Sequence, residues 1–457
     1  MADSPIVLVS NRGPASFVVG PDGGIEPRRA GGGLASGLAS LGERGDCTWI
    51  AGAFSEGDRI AAAAGGIDIA GFRLRLLDPG VEMWRDYYDV ISNETLWFLH
   101  HGLFDHTRSP SFDDVWRSGW DAYRYVNNLF AETVAETAPK GATVLVQDYH
   151  LSLVGAGLRR IRPDLRTVHF HHTPFCSPDE LAVLPPDVAV ELIEGLAGFD
   201  ACGFHTSGWS QRFVDCARSV GIEAHATFVA PLGVDAEDLG AEAASAACEK
   251  AVGRLDELAA GRRLIVRVDR IELSKNLIRG FRSFDQLLER EATWHGRVVF
   301  VASCYPSRQG VEAYTRYRSE VEAEVARVNE RWSSGSWTPI IFEIDDDFPR
   351  SVAALRRNDV LMVNPIRDGL NLVAMEGAIV NERHGGLVLS RNAGSWAILA
   401  EAADGVHPFD ISETASALDR ALRRSGDERV AQARRRRDLA SARTPHDWLE
   451  DQLNAVG

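Results

Sequence analysis

At 457 residues, with 45% hydrophobic and 25% charged content, the chain has the make-up of a soluble globular protein and is too long for one ordinary core. Two α/β domains of about 200 residues each are the natural expectation. The formal net charge of −16 argues against nucleic acid or an anionic membrane as partner, since either needs a basic face, so an anionic substrate must be held by a few local cations.

No run of about 18 apolar residues occurs, and the chain enters directly into Pro5-Ile6-Val7-Leu8-Val9, so neither a signal peptide nor a membrane span is expected. Cys47, Cys176, Cys202, Cys216, Cys248 and Cys304 lack metal-ligand spacing and read as reduced core residues of a cytoplasmic protein. The first strand, within residues 5–10, ends in the polar turn Ser10-Asn11-Arg12-Gly13-Pro14, which carries a cation. Gly31-Gly32-Gly33-Leu34 then opens a small-residue helix over Ala35–Leu41. Such a glycine cluster lets a phosphate approach the backbone, and it serves equally as a flexible hairpin end. Tyr87-Tyr88 and Trp97 flank Ser92-Asn93, and His100-His101 follows. No carboxylate or third ligand stands at suitable spacing, so the pair does not read as a zinc site.

Val144–Val146 reads as a buried strand delivering Gln147-Asp148-Tyr149-His150-Leu151, and Thr167–His172 as a strand leading to Thr173-Pro174-Phe175. In doubly wound sheets ligands gather at the carboxyl ends of strands, and the polar residues after Val9, Val146 and Phe170 fit that rule. Gly203-Phe204-His205-Thr206 is another strand end, and Phe228–Asp235 closes the first half. Residues 236–262 read as Ala/Glu-rich helix, which sets a boundary near 234. Beyond it come strand 264–268, helix 277–290, strand 297–302, helix 311–331, strand 339–343, helix 349–356, strand 360–363, helix 370–381 and strand 386–389. That alternation implies parallel sheets with right-handed crossovers. The expected architecture is thus α/β, with domains at 1–234 and 235–440 facing each other across a cleft, and a final helix over 441–457 packing back on the first. The run Arg434-Arg435-Arg436-Arg437 reads as the solvated face of a helix rather than a nucleic-acid contact.

The chemistry concentrates in two stretches. Val363-Asn364-Pro365-Ile366-Arg367-Asp368-Gly369-Leu370-Asn371-Leu372 is a strand, a tight turn and a helix start, where unpaired N–H groups and the helix dipole favour an anion. Asp368 can accept from a sugar hydroxyl there, and Glu376 from the paired hydroxyls of a ribose. An ordinary strand–turn–helix with a surface Asp-Gly turn would look the same. Arg270 and Lys275, in Arg267-Val268-Asp269-Arg270-Ile271-Glu272-Leu273-Ser274-Lys275-Asn276, follow a buried strand, where both can converge on one diphosphate. Fixed cations stabilise the charge that builds on a phosphate as a sugar departs from it.

With these residues assembled, the chain resembles the trehalose-6-phosphate synthase family, retaining glycosyltransferases of the GT-B architecture with two Rossmann-like domains. The likeness runs from about Val7 to Leu453 and rests on Ser10-Asn11-Arg12 with Pro14, Gly32-Gly33-Leu34, Tyr88 and Trp97, Asp148-Tyr149-His150-Leu151, His172-Thr173-Pro174-Phe175, Arg270 with Lys275, Ser307-Arg308, Trp337-Thr338-Pro339 and the Asp368 loop. It implies transfer of glucose from GDP- or UDP-glucose to glucose 6-phosphate, with no metal and no cofactor. On that reading Arg12, Tyr88, Trp97 and Arg308 hold the acceptor phosphate, and Asp148, His172, Arg270 and Lys275 are catalytic. Donor contacts fall to Gly32, Gly33, Arg270, Lys275, Asp368, Gly369, Leu370, Asn371, Leu372 and Glu376. The same scaffold serves glucosylglycerol-phosphate synthases and pseudo-glycosyltransferases that join a nucleotide cyclitol to an amino-cyclitol phosphate, and a non-catalytic sugar-phosphate sensor is a further alternative. The chain departs from the family's usual pattern at Gln147 (commonly His), Cys176 (commonly Pro), Ile271-Glu272-Leu273 (commonly Leu-Asp-Tyr), Asn276 (commonly Gly) and Met375 (commonly Lys). The nucleotide base, the exact acceptor and the state of assembly, a homo-oligomer included, stay open at this level.

Overall fold

In the computed structural model of the chain, residues 5–457 are described except 22, 30–36, 39, 40, 43–46 and 225. Gly32, Gly33 and most of the expected Ala35–Leu41 helix therefore lie outside the described residues. The chain forms two units, one holding residues up to Leu232 together with Pro445–Gly457, the other Gly233–Thr444.

The first unit is built on an eight-stranded sheet. In chain order its strands are β1 (Ile6–Ser10), β4 (Cys47–Gly52), β5 (Ile67–Ile69), β6 (Phe72–Leu77), β7 (Thr143–Gln147), β8 (Arg166–His171), β9 (Ala201–Phe204) and β10 (Ala226–Val229). A separate antiparallel hairpin joins β2 (Ala15–Val19) to β3 (Ile25–Arg29). The spatial order is β10-β9-β8-β7-β1-β4-β6-β5, parallel throughout except for β5 against β6. β1, buried at every position, is the pivot: the sheet grows from it toward β4 on one side and toward β7 on the other. Side chains just past β1 and β7 thus sit where the winding reverses, the place at which open α/β sheets bind ligands.

The second unit carries six parallel strands: β11 (Arg263–Ile271), β12 (Val298–Pro306), β13 (Ile340–Ile344), β14 (Val360–Val363), β15 (Gly386–Ser390) and β16 (Asp404–Val406). Their order, β13-β12-β11-β14-β15-β16, reverses between β11 and β14. The helices Leu277–Arg290, Glu312–Trp332, Phe348–Arg357 and Leu372–Val380 connect them in turn. Continuous apolar runs such as Val360-Leu361-Met362-Val363 are fully buried, as strands covered on both faces require.

Two local readings need correction. The helix expected over 236–262 is two helices, Ala236–Ala243 and Ala246–Ala259, because Ser245 interrupts the run and caps the second by accepting from the Cys248 N–H at 3.0 Å. The arginine run lies in the helix Gly426–Ala440 and is not wholly solvated. Arg436 is buried, donates to the carbonyls of Ala402 (2.8 Å) and Gly385, and is pushed down to about 10 by desolvation. The closing helix, Pro445–Asn454, belongs to the first unit, where Trp448 meets Phe170 edge-on at 5.2 Å. No helix among the described residues is long and apolar enough to cross a membrane.

Candidate active site

In the first unit Arg12, Asp148 and His172 stand just past the ends of β1, β7 and β8. Arg12, exposed just past β1, lies over the Phe54 ring at 4.5 Å and the Tyr88 ring at 5.7 Å, a cation held by two π faces. From Tyr88 an aromatic chain runs inward: Tyr88 stacks on His150 (5.7 Å), His150 meets Tyr149 (4.0 Å), and Tyr149 packs against Trp97 (5.8 Å), itself stacked on His101 (3.9 Å). Tyr87, Tyr88 and Asn93 are carried on a π-helical segment, Asp86–Leu96, a rare form frequent at functional sites. Ser92 and Thr95 sustain the wider turn by donating to the Tyr87 and Val90 carbonyls.

Asp148, immediately after β7, has φ 72° and ψ 164°, a conformation costly for any residue but glycine and characteristic of working sites. The strain is held from both sides. The Asp148 N–H donates to the Phe170 carbonyl (2.8 Å), and its Oδ1 accepts the His172 backbone N–H (3.2 Å). Behind it, Tyr123 donates to the Tyr149 carbonyl at 2.6 Å, while Tyr87 and Asn127 donate to that of His150. His172 Nε2 lies 2.9 Å from Gln147 Oε1; burial first, then His205 and His169, hold its pKa well below the usual histidine range, so the ring is neutral.

In the second unit the residues gather where β11, β12 and β14 end. Glu272 is completely buried and its Oε1 takes three partners: Arg270 (2.9 Å), Arg308 (2.6 Å) and the Ser307 hydroxyl (2.8 Å). Burial opposes ionisation there, but the two guanidinium groups outweigh it and the carboxyl stays below its ordinary pKa. Lys275 reaches Asp368 Oδ2 at 2.7 Å and Asp269 at 3.8 Å. Burial pulls its pKa down, yet Asp368 and Asp269 raise it on balance, so it stays charged. Asp269 is shared with the buried Arg267 (2.8 Å). Arg267, Arg270, Lys275 and Arg308 thus face Asp269, Glu272 and Asp368, a knot with positive charge in excess.

The loop Asp368–Asn371 is clipped to the segment after β15. Asp368 N–H donates to Asn392, Gly394 N–H to Asp368, and Ser395 N–H to Leu370 (2.6 Å). Asn371, at φ 75°, donates to Asp368 Oδ2 (3.0 Å) and accepts from Ala374 N–H (3.3 Å), opening the helix Leu372–Val380 with its first N–H groups beside Lys275's partner. Glu376, further along, is partly buried with no hydrogen-bond partner among the described residues, and desolvation pushes its carboxyl up to about 7.

The structure therefore brings Arg12 and Tyr88 together, links Trp97 to them through Tyr149 and His150, sets Asp148 beside His172, and ties Lys275, after β11, to Asp368 on the segment that also carries Gly369, Leu370, Asn371, Leu372 and Glu376, with Arg270 held nearby on Glu272. Arg308 is carried by the second unit, on the same carboxylate as Arg270. Sequence reasoning passed over Phe54, Glu272 as the shared counter-ion, and Asp269. Each had a signal: the apolar run before Gly52 marks a strand end, and both acids alternate with the cations. The departures from the family pattern have local reasons. Asn276 occupies the left-handed region (φ 60°) that glycine fills without strain, and it adds bonds to the Asn364 and Pro408 carbonyls at 2.9 and 2.7 Å. Cys176 donates its N–H to His100 Nδ1 (3.3 Å), a bond proline cannot make.

The sequence model of glycosyltransferase family 20 matches residues 80–456. A trehalose-6-phosphate synthase of Mycolicibacterium vanbaalenii is 34% identical, over 98% of this chain and 95% of the relative. The solved trehalose-6-phosphate synthase of E. coli bound with UDP-2-fluoro glucose superposes with a TM-score of 0.85 at 28% identity, covering 99% of this chain and 98% of that one. The α,α-trehalose-phosphate synthase (UDP-forming) of Burkholderia xenovorans in complex with glucose 6-phosphate gives 0.85 at 27%, over 99% of both chains. The chain belongs to glycosyltransferase family 20, the trehalose-6-phosphate synthase family of GT-B glycosyltransferases.

Proposed function

We propose that the protein transfers glucose from UDP- or GDP-glucose to the anomeric hydroxyl of glucose 6-phosphate, with retention, giving trehalose 6-phosphate. The observation that carries this reading is the charge knot after β11 and β12: Arg270 and Lys275 are held at a topological switch point beside the helix start Asn371–Leu372, where a departing diphosphate finds two fixed cations. The glucose C1–O bond to the diphosphate breaks, the acceptor oxygen bonds to C1 on the same face, and the acceptor's proton passes to the leaving phosphate oxygen. Asp269, Glu272 and Asp368 are each bound to a cation, which suits a reaction without an enzyme nucleophile, unlike the two-carboxylate glycosidases. Asp368 takes a donor glucose hydroxyl and Glu376 the ribose, while Asp148 and His172 flank the reacting carbon. Arg12, set over Phe54 and Tyr88, takes the acceptor phosphate, a dianion suited to guanidinium forks, and Trp97 and Arg308 are kept in that set on the family resemblance.

The bound ligands of the E. coli and Burkholderia xenovorans relatives, UDP-2-fluoro glucose and glucose 6-phosphate, support this pairing of donor and acceptor. The test is a product assay with UDP-glucose and GDP-glucose in parallel, each with glucose 6-phosphate, and the product's anomeric configuration read by NMR. An α,α-linked product from either donor is expected. No product from both, with turnover of a different phosphorylated polyol or cyclitol, would refute the assignment.

A further inference from the structure

The closing helix Pro445–Asn454 brings a fully buried amide, Gln452, into the first unit's sheet. Gln452 Oε1 accepts from Gln147 Nε2 at 3.0 Å. Gln147, also fully buried at the last position of β7, presents its own Oε1 to His172 Nε2 at 2.9 Å. His172 is partly exposed and sits beside the strained Asp148, so two hidden carboxamides line up behind a ring at the front of the site. A carboxamide has one donor end and one acceptor end. Once Gln452 accepts from Gln147, Gln147 can turn only its oxygen to the ring, and the ring must carry its proton on Nε2. Trp448, on the same helix, lies 5.6 Å from the His172 ring and fixes its surroundings further.

The arrangement is not what packing alone would select. Gln452 Nε2 is buried without a hydrogen-bond partner among the described residues, an expense that methionine or leucine of similar reach would avoid. We propose that Gln452 is a positioning residue for the transfer reaction: through Gln147 it fixes His172 in the Nε2–H tautomer, leaving Nδ1 as the ring's acceptor for a substrate hydroxyl. The inference rests on the proposed function only in placing His172 at the reacting centre.

The test compares Gln452→Met, nearly isosteric but unable to accept from an amide, with Gln452→Glu, which still can. Steady-state transfer kinetics of the full chain are measured at pH 8, together with the nitrogen chemical shifts of histidine-labelled protein, in which the His172 signals are identified by their loss in His172→Asn. Gln452→Met is expected to lower kcat about tenfold with both KM values within about twofold, and to move His172 away from the Nε2–H pattern, as a misdirected histidine does in other enzymes. Gln452→Glu should restore most of kcat and the Nε2–H pattern. Unchanged kcat in the methionine variant, equal loss in both variants, or an unchanged His172 pattern would overturn the proposal. A wild-type chain that makes no trehalose 6-phosphate would fail the functional reading instead, and the nitrogen shifts alone would then decide whether Gln452 sets the tautomer.

Discussion

Replacing Glu272 by glutamine isolates what one buried charge does for the second unit. The substitution keeps the shape and an acceptor oxygen for Arg270, Arg308 and Ser307, and removes only the charge that two guanidinium groups share at 2.9 and 2.6 Å. Removing one partner of a buried ion pair costs about 3–5 kcal/mol, because the remaining charge is left uncompensated. Arg270 is 36% exposed, so water screens part of its loss, and the lower end, about 3 kcal/mol, is the better expectation. For a unit of this size, about 3 kcal/mol corresponds to a fall of about 6–12 °C in the midpoint of its thermal transition. The same removal leaves a more positive knot, so UDP or GDP should bind Glu272→Gln more tightly and recover part of the loss. At about 100 times its Kd, ligand adds about 2.7 kcal/mol. Differential scanning calorimetry with and without nucleotide, at low and high salt, reads both effects. A midpoint within about 1 °C of wild type would mean that Glu272 is not the counter-ion that holds Arg270 and Arg308, and a loss that nucleotide does not reduce would separate the knot from the donor diphosphate.

Four further outcomes are expected. Arg270→Ala should lower kcat far more than it raises the KM for glucose 6-phosphate, since its charge acts on the leaving phosphate; equal kinetics in mutant and wild type would remove that role. Arg12→Ala and Arg308→Ala should each chiefly raise the acceptor KM, and an unchanged value in either would take that residue out of the acceptor set. Glu376, raised to about 7, must be ionised to accept from both ribose hydroxyls through its two oxygens, so nucleotide affinity, measured by calorimetry, should fall toward tenfold for each pH unit below about 7 and level off above it, a slope that Glu376→Gln abolishes. The same shift costs the folded state increasingly as pH rises from the ordinary carboxylate range through 7, so Glu376→Gln should gain stability over wild type at pH 8 but not at pH 4.

The second unit was legible almost element by element because most of its strands, β11, β12, β14 and β15 above all, are buried on both faces. Val360–Val363 and the helix Leu277–Arg290 appear where the apolar runs and periodicity put them. What escaped is set by long-range contacts. The π-helical register of Asp86–Leu96 depends on local hydroxyl–carbonyl bonds and on packing against the long helix Asp114–Thr137, and aromatic density alone gives no hint of it. Arg436 reads as surface in a run of four arginines, and its burial follows only from the carbonyls of Ala402 and Gly385 that the fold brings to it. The site behaves the same way. Arg270, Lys275 and Asp368 stand out as residue types after strands, whereas the use of one Glu272 oxygen by two arginines is a fact of three-dimensional register between β11 and β12. Gln147 registered merely as a departure, since its partner Gln452 lies at the other end of the chain.

An acidic protein that must hold anions cannot rely on a broad positive field, and the backbone shows how local cations are fixed instead. Asp148, Asn276, Arg308 and Asn371 all have positive φ, at 72°, 60°, 44° and 75°, and all four follow strand ends at or beside the points where winding reverses. Such conformations cost about 1–3 kcal/mol each for residues other than glycine. Glycine would relieve the strain but would bring no side chain, and here each side chain makes bonds that glycine could not. Asp148 takes the His172 N–H, Asn276 ties the Lys275 turn to Asn364, Arg308 completes the Glu272 knot, and Asn371 both caps its helix and orients Asp368. Strain distributed in this way serves orientation: a few charges, each held in one geometry, can act on a developing phosphate charge where a mobile surplus of cations would be screened.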